Sequence, residues 1–181
     1  MRPESLDVGR AWTRIADPSW IDPLDPGYAS HGFGGRWTLP GGPDTLYLNE
    51  DVDTARANIR RFFAGSPVTP EDLDDDRGYV LLDVVLTGEQ TVVDAHTDAG
   101  LSELGLPASY PLDQDGKEVG HDQCQPIGQE VHDAGFDGIH CRSAAGAAGS
   151  GRRELAWFPR GRRALLRATR RFGDWYHPRS P

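Results

Sequence analysis

No apolar run in this sequence approaches the ~18 residues that a membrane-crossing helix needs, and it opens without the charged-then-apolar leader of a secreted protein. A cytoplasmic chain with no membrane partner is therefore expected. Cysteine is nearly absent: Cys124 and Cys141 are the only two, too few for a disulfide scaffold, and without a secretory leader free thiols are the default. Apolar residues are 37% of the 181 and come in short clusters, which argues against a helical bundle. Glycine (22) and proline (14) together fill about a fifth of the chain, so many turns and few long helices are expected. One hydrophobic core suffices at this length, giving a single domain over residues 1–181.

Acidic charge dominates, −9 in all, but it is unevenly spread. Residues 152–181 hold nine arginines against Glu154 and Asp174, a balance of +7, which leaves −16 for residues 1–151. A basic tail on an acidic body could seek nucleic acid or an acidic partner. A solvated arginine face packed on that body accounts for the same charges more simply, and nucleic acid is not the expected partner. Self-association as a homodimer is left open.

Trp12–Ile15 reads as a first strand, followed by a proline-broken loop, "DPSWIDPLDPGY", in which proline denies the backbone its donors. "DTLYLNE", Asp44–Glu50, is a short strand with Leu46 and Leu48 on one face and Tyr47 on the other. A helix follows. Asn49 or Asp51 can cap it, and Val52, Ala55, Ile59, Phe62 and Phe63 form its apolar stripe, with Asn58 at the stripe's edge. "YVLLDVVLTGEQTVVDA" predicts two strands joined as a hairpin across Gly88-Glu89. Residues 96–123 carry weak signals. "QPIGQEVHDAGFDGIHCRS" predicts a helix ending at Gly135 and a strand from Phe136 to Cys141. "GAAGSG" predicts a flexible loop, "ELAWF" a last strand, and Arg162–Phe172 a basic terminal helix with Ala164, Leu165, Ala168 and Phe172 on one stripe.

Several familiar sites are missing. "GFGGRW" lacks the lysine and hydroxyl of a phosphate loop, and no strand-GxGxxG-helix order occurs. The glycines around Arg36 instead permit close backbone approach. A guanidinium held there would offer a rigid donor fork to a pyrophosphate or carboxylate, or would stack on Trp37 to support the loop. His121, Cys124, His140 and Cys141 include zinc-ligand types, but adjacent residues in a strand face opposite ways, so His140 and Cys141 would not reach one ion and no metal is expected. Ser143 ends a strand, a common place for a site residue, yet no His-acid pair at a convincing spacing activates it.

The order "WTRI", "GGRW-x-L-P-G", "LYL" and a helix, then "CQPIGQEVHDAGFDGIHCRSA" far downstream, resembles the RES-domain family over roughly residues 12–158. The resemblance implies an α+β fold of the ADP-ribosyltransferase type, with a mixed, mostly antiparallel sheet and flanking helices. It implies an NAD cleft in which the nicotinamide–ribose bond is cleaved by phosphorolysis, hydrolysis or transfer to a protein, with NAD or a related nucleotide as the substrate. Family members are toxins neutralised by an Xre-type antitoxin. Carried over by position, Arg14 and Arg36 match the family's arginines, Tyr47 its tyrosine, and Ser143 its serine. Some members place the serine before the "CQ" pair, where this chain has Asp122. The family's glutamate lies eleven residues after the tyrosine, where this chain has Asn58. An acid from elsewhere, with Glu50, Asp51, Asp53 and Asp122 as candidates, would have to serve. Alternatively the chain is a weakened nucleotide-binding module, or acts on another nucleotide. Arg14, Arg36 and Tyr47 are expected in one pocket, and exchanging Asn58 for glutamate is expected to raise nicotinamide release.

Overall fold

The computed structural model describes residues 1–145 and 150–177. Eight strands form one sheet: β1 (Pro3–Leu6), β2 (Ala11–Ala16), β3 (Leu46–Asn49), β4 (Val80–Leu86), β5 (Gln90–Ala95), β6 (Gly138–Arg142), β7 (Arg153–Trp157) and β8 (Ala164–Arg170), in the order β1-β5-β6-β7-β3-β2-β4-β8. Every neighbouring pair is antiparallel except β5 and β6. The helices are α1 (Gly27–His31), α2 (Val52–Phe62), α3 (Asp98–Glu103), α4 (His121–Asp133) and α5 (Phe172–Tyr176). The fold is the α+β type expected, a mostly antiparallel sheet with flanking helices. No helix among the described residues is long and apolar enough to cross a membrane, and Cys124 and Cys141 are free and buried.

The expected β4–β5 hairpin does not exist. Both edges of β4 are taken, by β2 and β8, and both edges of β5 by β1 and β6. Only residues 87–89 join the two strands, a reach of at most ~14 Å, whereas the five strand spacings between them would cover ~24 Å in a flat sheet. The sheet must therefore curl until its distant parts meet. Its concave side is filled by Leu6, Trp12, Leu46, Leu48, Leu82, Val92 and Trp157, which come from β1, β2, β3, β4, β5 and β7. The convex side carries α4 over Tyr47, Cys141, Ala156 and Trp37, and α2 with α5 over Ile15 and Leu81.

The elements whose signals are local form as read. On β3, Leu46 and Leu48 enter the concave core while Tyr47 packs on the other face. The Asp51 side chain caps α2 by accepting from the Thr54 amide at 2.6 Å, and Gly135 ends the α4 segment at φ +92, a conformation that favours glycine. Phe62, expected on the buried stripe of α2, is instead 70% exposed.

The basic terminal helix is also overturned: Ala164–Arg170 is the edge strand β8, and only the short α5 follows. Helical spacing in this stretch loses to the open edge of β4, whose backbone groups need partners. Phe172, assigned to the same stripe, still finds a core, packing with Trp175, Tyr176, Ile59 and Leu81. Phe172→Ala is expected to cost about 3–5 kcal/mol, measured by denaturant unfolding; a loss below 1 kcal/mol would mean that α5 is not part of the cooperative core. The Gly146–Gly149 part of the expected glycine loop lies outside the described residues.

Candidate active site

The sheet has one weak seam. β2 and β3 share a single registered pair, Thr13 with Asn49, while β2 pairs with β4 along its whole length and β3 with β7. Away from Thr13 and Asn49 the two strands part, and a cleft of about 640 Å³ opens there, lined by Arg14, Tyr28, Gly34, Gly35, Thr45 and Tyr47 among others. Arg14 bridges the gap. Its Nη1 donates to the Tyr47 carbonyl at 3.0 Å, its Nε donates to the Pro23 carbonyl at 2.7 Å, and its guanidinium lies 5.7 Å from the Trp20 ring. Burial pulls this guanidinium down to about 10, against the opposing pull of Asp22 and Asp25; it still carries its charge at neutral pH. Arg14 and Tyr47 thus share one cleft, as expected.

The Tyr47 hydroxyl is fixed by the Trp37 amide, which donates at 2.9 Å, and lies 3.1 Å from the Thr38 hydroxyl. Burial pushes its pKa up to about 12, so it stays a neutral phenol. Glycine at position 35 follows from the same contact, since a Cβ there would lie 2.3 Å from the Tyr47 oxygen.

Arg36 departs from the expectation. It does not line the Arg14–Tyr47 cleft. Its side chain turns toward the segment leading into α4, where Nη1 donates to the Val119 carbonyl at 2.8 Å and Nη2 pairs with Glu118. Burial would lower its pKa, but Tyr110 and Glu118 outweigh that and hold it above the ordinary value. Glycines on its N-terminal side let the chain turn, and the guanidinium pairs with the half-exposed Glu118 carboxylate. The stack on Trp37 is not what holds it. Arg36→Ala is expected to destabilise the fold by about 1–3 kcal/mol, because it strands the Val119 carbonyl, and to leave nucleotide affinity within about threefold. Calorimetric titration with NAD beside a thermal melt separates the two effects.

A polar network gathers at the far end of β3, on the same face as Tyr47. Asn58, from the middle of α2, donates through Nδ2 to the Asn49 Oδ1 at 2.7 Å and to the Glu154 Oε1 at 2.6 Å. The Ser143 hydroxyl, just beyond β6, donates to the same Glu154 oxygen, and the Ala145 amide donates to Ser143 at 3.1 Å. Strand register sets this meeting, because Glu154 lies opposite Asn49 on one side and Cys141 on the other. Asn58 and Ser143 are therefore joined through a carboxylate that enters the sequence analysis only as a charge. Its signal was there: in "RELAW" Glu154 alternates with Leu155 and Trp157, a lone acid on a half-buried strand face.

The other expected acids go elsewhere. Asp122 sits exposed in the first turn of α4, folded back on Gly120 and apart from this network. Glu50 pairs with Arg10, Asp51 caps α2, and Asp53 pairs with Arg56. Ser143 also opens on a second recess of about 350 Å³, lined by His96, Arg142, Arg152 and Arg153 among others. Asn58 faces a third of about 520 Å³ beside Trp20, Tyr28 and Tyr79. Glu154 thus ties together side chains that border two separate hollows. His121, Cys124, His140 and Cys141 are not gathered around one point: His140 faces Trp12 on the concave side, while Cys141 accepts from the Trp37 indole at 3.3 Å on the other.

No curated protein matches the sequence. Among solved structures, the fold is similar to a chain of the crystal structure of the M. tuberculosis MbcT-MbcA toxin-antitoxin complex, with a TM-score of 0.73 and 19% identity over 96% of this chain and 92% of that one. A family model, that of the RES domain, matches residues 11–177. Since that match runs from the start of β2 to just past α5, and so takes in the seam, Asn58, Ser143 and Glu154, the chain belongs to the RES-domain family.

Proposed function

We propose that this chain binds NAD at the β2–β3 seam and cleaves the bond between nicotinamide and ribose, with Glu154 supplying the carboxylate that position 58 does not. The observation that carries this reading is the Glu154 carboxylate held between Asn58 and Ser143 on the Tyr47 face of the sheet. In the reaction the C1′–N bond breaks with its electron pair going to the nicotinamide nitrogen. Nicotinamide leaves neutral, and positive charge develops on the ribose. A carboxylate fixed in advance lowers the energy of that charge without reorganising. Phosphate or water then attacks C1′, and where water attacks, its proton passes to the same carboxylate. Arg14 supplies the cleft's buried cation for the phosphates, and the Tyr47 ring offers a planar surface.

The likeness to a toxin–antitoxin structure supports a further reading, that the chain is a toxin restrained by an Xre-type antitoxin and acts in the cytoplasm on the NAD pool as one RES domain. A binding module without turnover is the competing reading, favoured by one observation: Arg36, the second arginine expected on the phosphates, is already paired with Glu118. Incubating the pure protein with NAD, with and without phosphate, and following nicotinamide release decides between them. Release that depends on Glu154 supports the enzyme, and phosphate dependence identifies the acceptor. NAD binding with no release supports the module.

A further inference from the structure

A second cluster of titratable side chains lies apart from the Asn58–Glu154–Ser143 network. It brings together Glu4 on β1, His96 just past β5, and His140 on β6. His140 Nδ1 is 3.0 Å from each Glu4 oxygen and His96 Nε2 is 3.2 Å from Glu4 Oε2, and the ligand atoms of all three lie within 4.8 Å of one another. The backbone fixes this convergence, since Glu4 is registered against Val92 on β5, and His140 against Asp94, two residues before His96.

We propose that Glu4, His96 and His140 form a binding site for a divalent transition-metal ion of the zinc type. Around a tetrahedral ion with bonds of about 2.0–2.2 Å the ligand atoms stand about 3.3–3.6 Å apart. The observed spacings to Glu4 need to open by only a few tenths of an ångström. The proton inventory points the same way. His140 is fully buried and its Nε2 has no hydrogen-bond partner among the described residues. If Nδ1 carries the proton toward Glu4, a buried lone pair is stranded on Nε2. If Nε2 carries it, an N–H can point toward the Trp12 ring, which lies edge-to-face at 5.6 Å, but the Nδ1 lone pair then faces a carboxylate oxygen. An ion on Nδ1 removes that conflict and leaves the Nε2 proton in place, as would a proton on both nitrogens. Asp94, with one oxygen 3.7 Å from His96 Nε2, adds a second negative charge beside the ion.

Two imidazoles and one carboxylate select zinc-like ions over magnesium and calcium, which prefer all-oxygen shells. A fourth position remains for water, and His96 borders the 350 Å³ recess. The ion would pin β1, a four-residue edge strand paired with β5, to the parallel β5–β6 pair. Because these ligands converge only in the folded chain, binding would stabilise it by mass action.

The test uses the full chain without a histidine tag, stripped of metal with a chelator and dialysed, then titrated calorimetrically with zinc chloride. One ion per chain at micromolar affinity or better is expected, with a rise in Tm of roughly 5–10 °C at zinc a hundredfold above Kd, and no heat from magnesium chloride. Glu4→Gln and His96→Ala, each checked for folding by circular dichroism, should weaken zinc binding at least ~10-fold; if His96→Ala does not fold, Glu4→Gln decides alone. Absence of zinc binding in the wild type overturns the proposal. So does binding that survives in the folded variants, which would place the ion on other histidines, or equal binding of magnesium.

Discussion

Glu154→Gln is expected to reduce nicotinamide release from NAD by about 10²–10³-fold while the protein stays folded. The substitution keeps the shape of the side chain and an acceptor oxygen for the Ser143 hydroxyl and Asn58 Nδ2, so packing and most hydrogen bonding survive. What it removes is the negative charge. In the proposed reaction that charge acts when the ribose turns positive, so kcat should carry the loss and the affinity for NAD should hardly move. Initial rates with purified protein, together with the dissociation constant of NAD for the variant, separate the two. A variant with unchanged kcat would remove Glu154 from the chemistry and return the search to another acid. A loss found wholly in affinity would give it a binding role.

Asn58→Glu is expected to impair the protein, the reverse of what the family pattern suggests when position 58 is considered alone. Family logic places a glutamate here, and restoring it reads as a repair. In the structure Asn58 Nδ2 has two acceptors, Asn49 Oδ1 and Glu154 Oε1. A carboxylate in its place donates to neither and sets a second negative charge within hydrogen-bond distance of the first. Asn49 Oδ1 is left stranded at about 1–3 kcal/mol, Glu154 Oε1 keeps only the Ser143 hydroxyl, and two carboxylates so close cannot both ionise freely, so one must take up a proton. A lower Tm and at least ~10-fold slower nicotinamide release are expected. The exchange of both residues, Asn58→Glu with Glu154→Gln, restores one amide and one carboxylate in contact and should recover Tm and much of the rate. A double variant no better than the worse single one would show that the two positions do not act as a pair.

The family and the elements built from neighbouring residues can be read directly in the amino-acid order. β3 was legible because alternation separates Leu46 and Leu48 from Tyr47, and α2 because Asp51 caps a run with a 3.6-residue apolar period. These signals arise within one or two turns of chain, where steric and capping preferences act regardless of what packs outside. Tertiary structure alone decided the rest. Local pattern cannot say which strand edge is free, so β4 and β5, a plausible hairpin in sequence, end five strand spacings apart in the sheet's order, and Ala164–Arg170 becomes a strand because β4 has an edge to fill. The same holds for charge. Arg36 finds Glu118 across 82 residues and Asn58 finds Glu154 across 96, and no spacing rule links such partners. A carboxylate can act wherever the fold delivers its oxygen, so position 58 of α2, which carries none, meets Glu154 of β7, and only the curled sheet brings the two together.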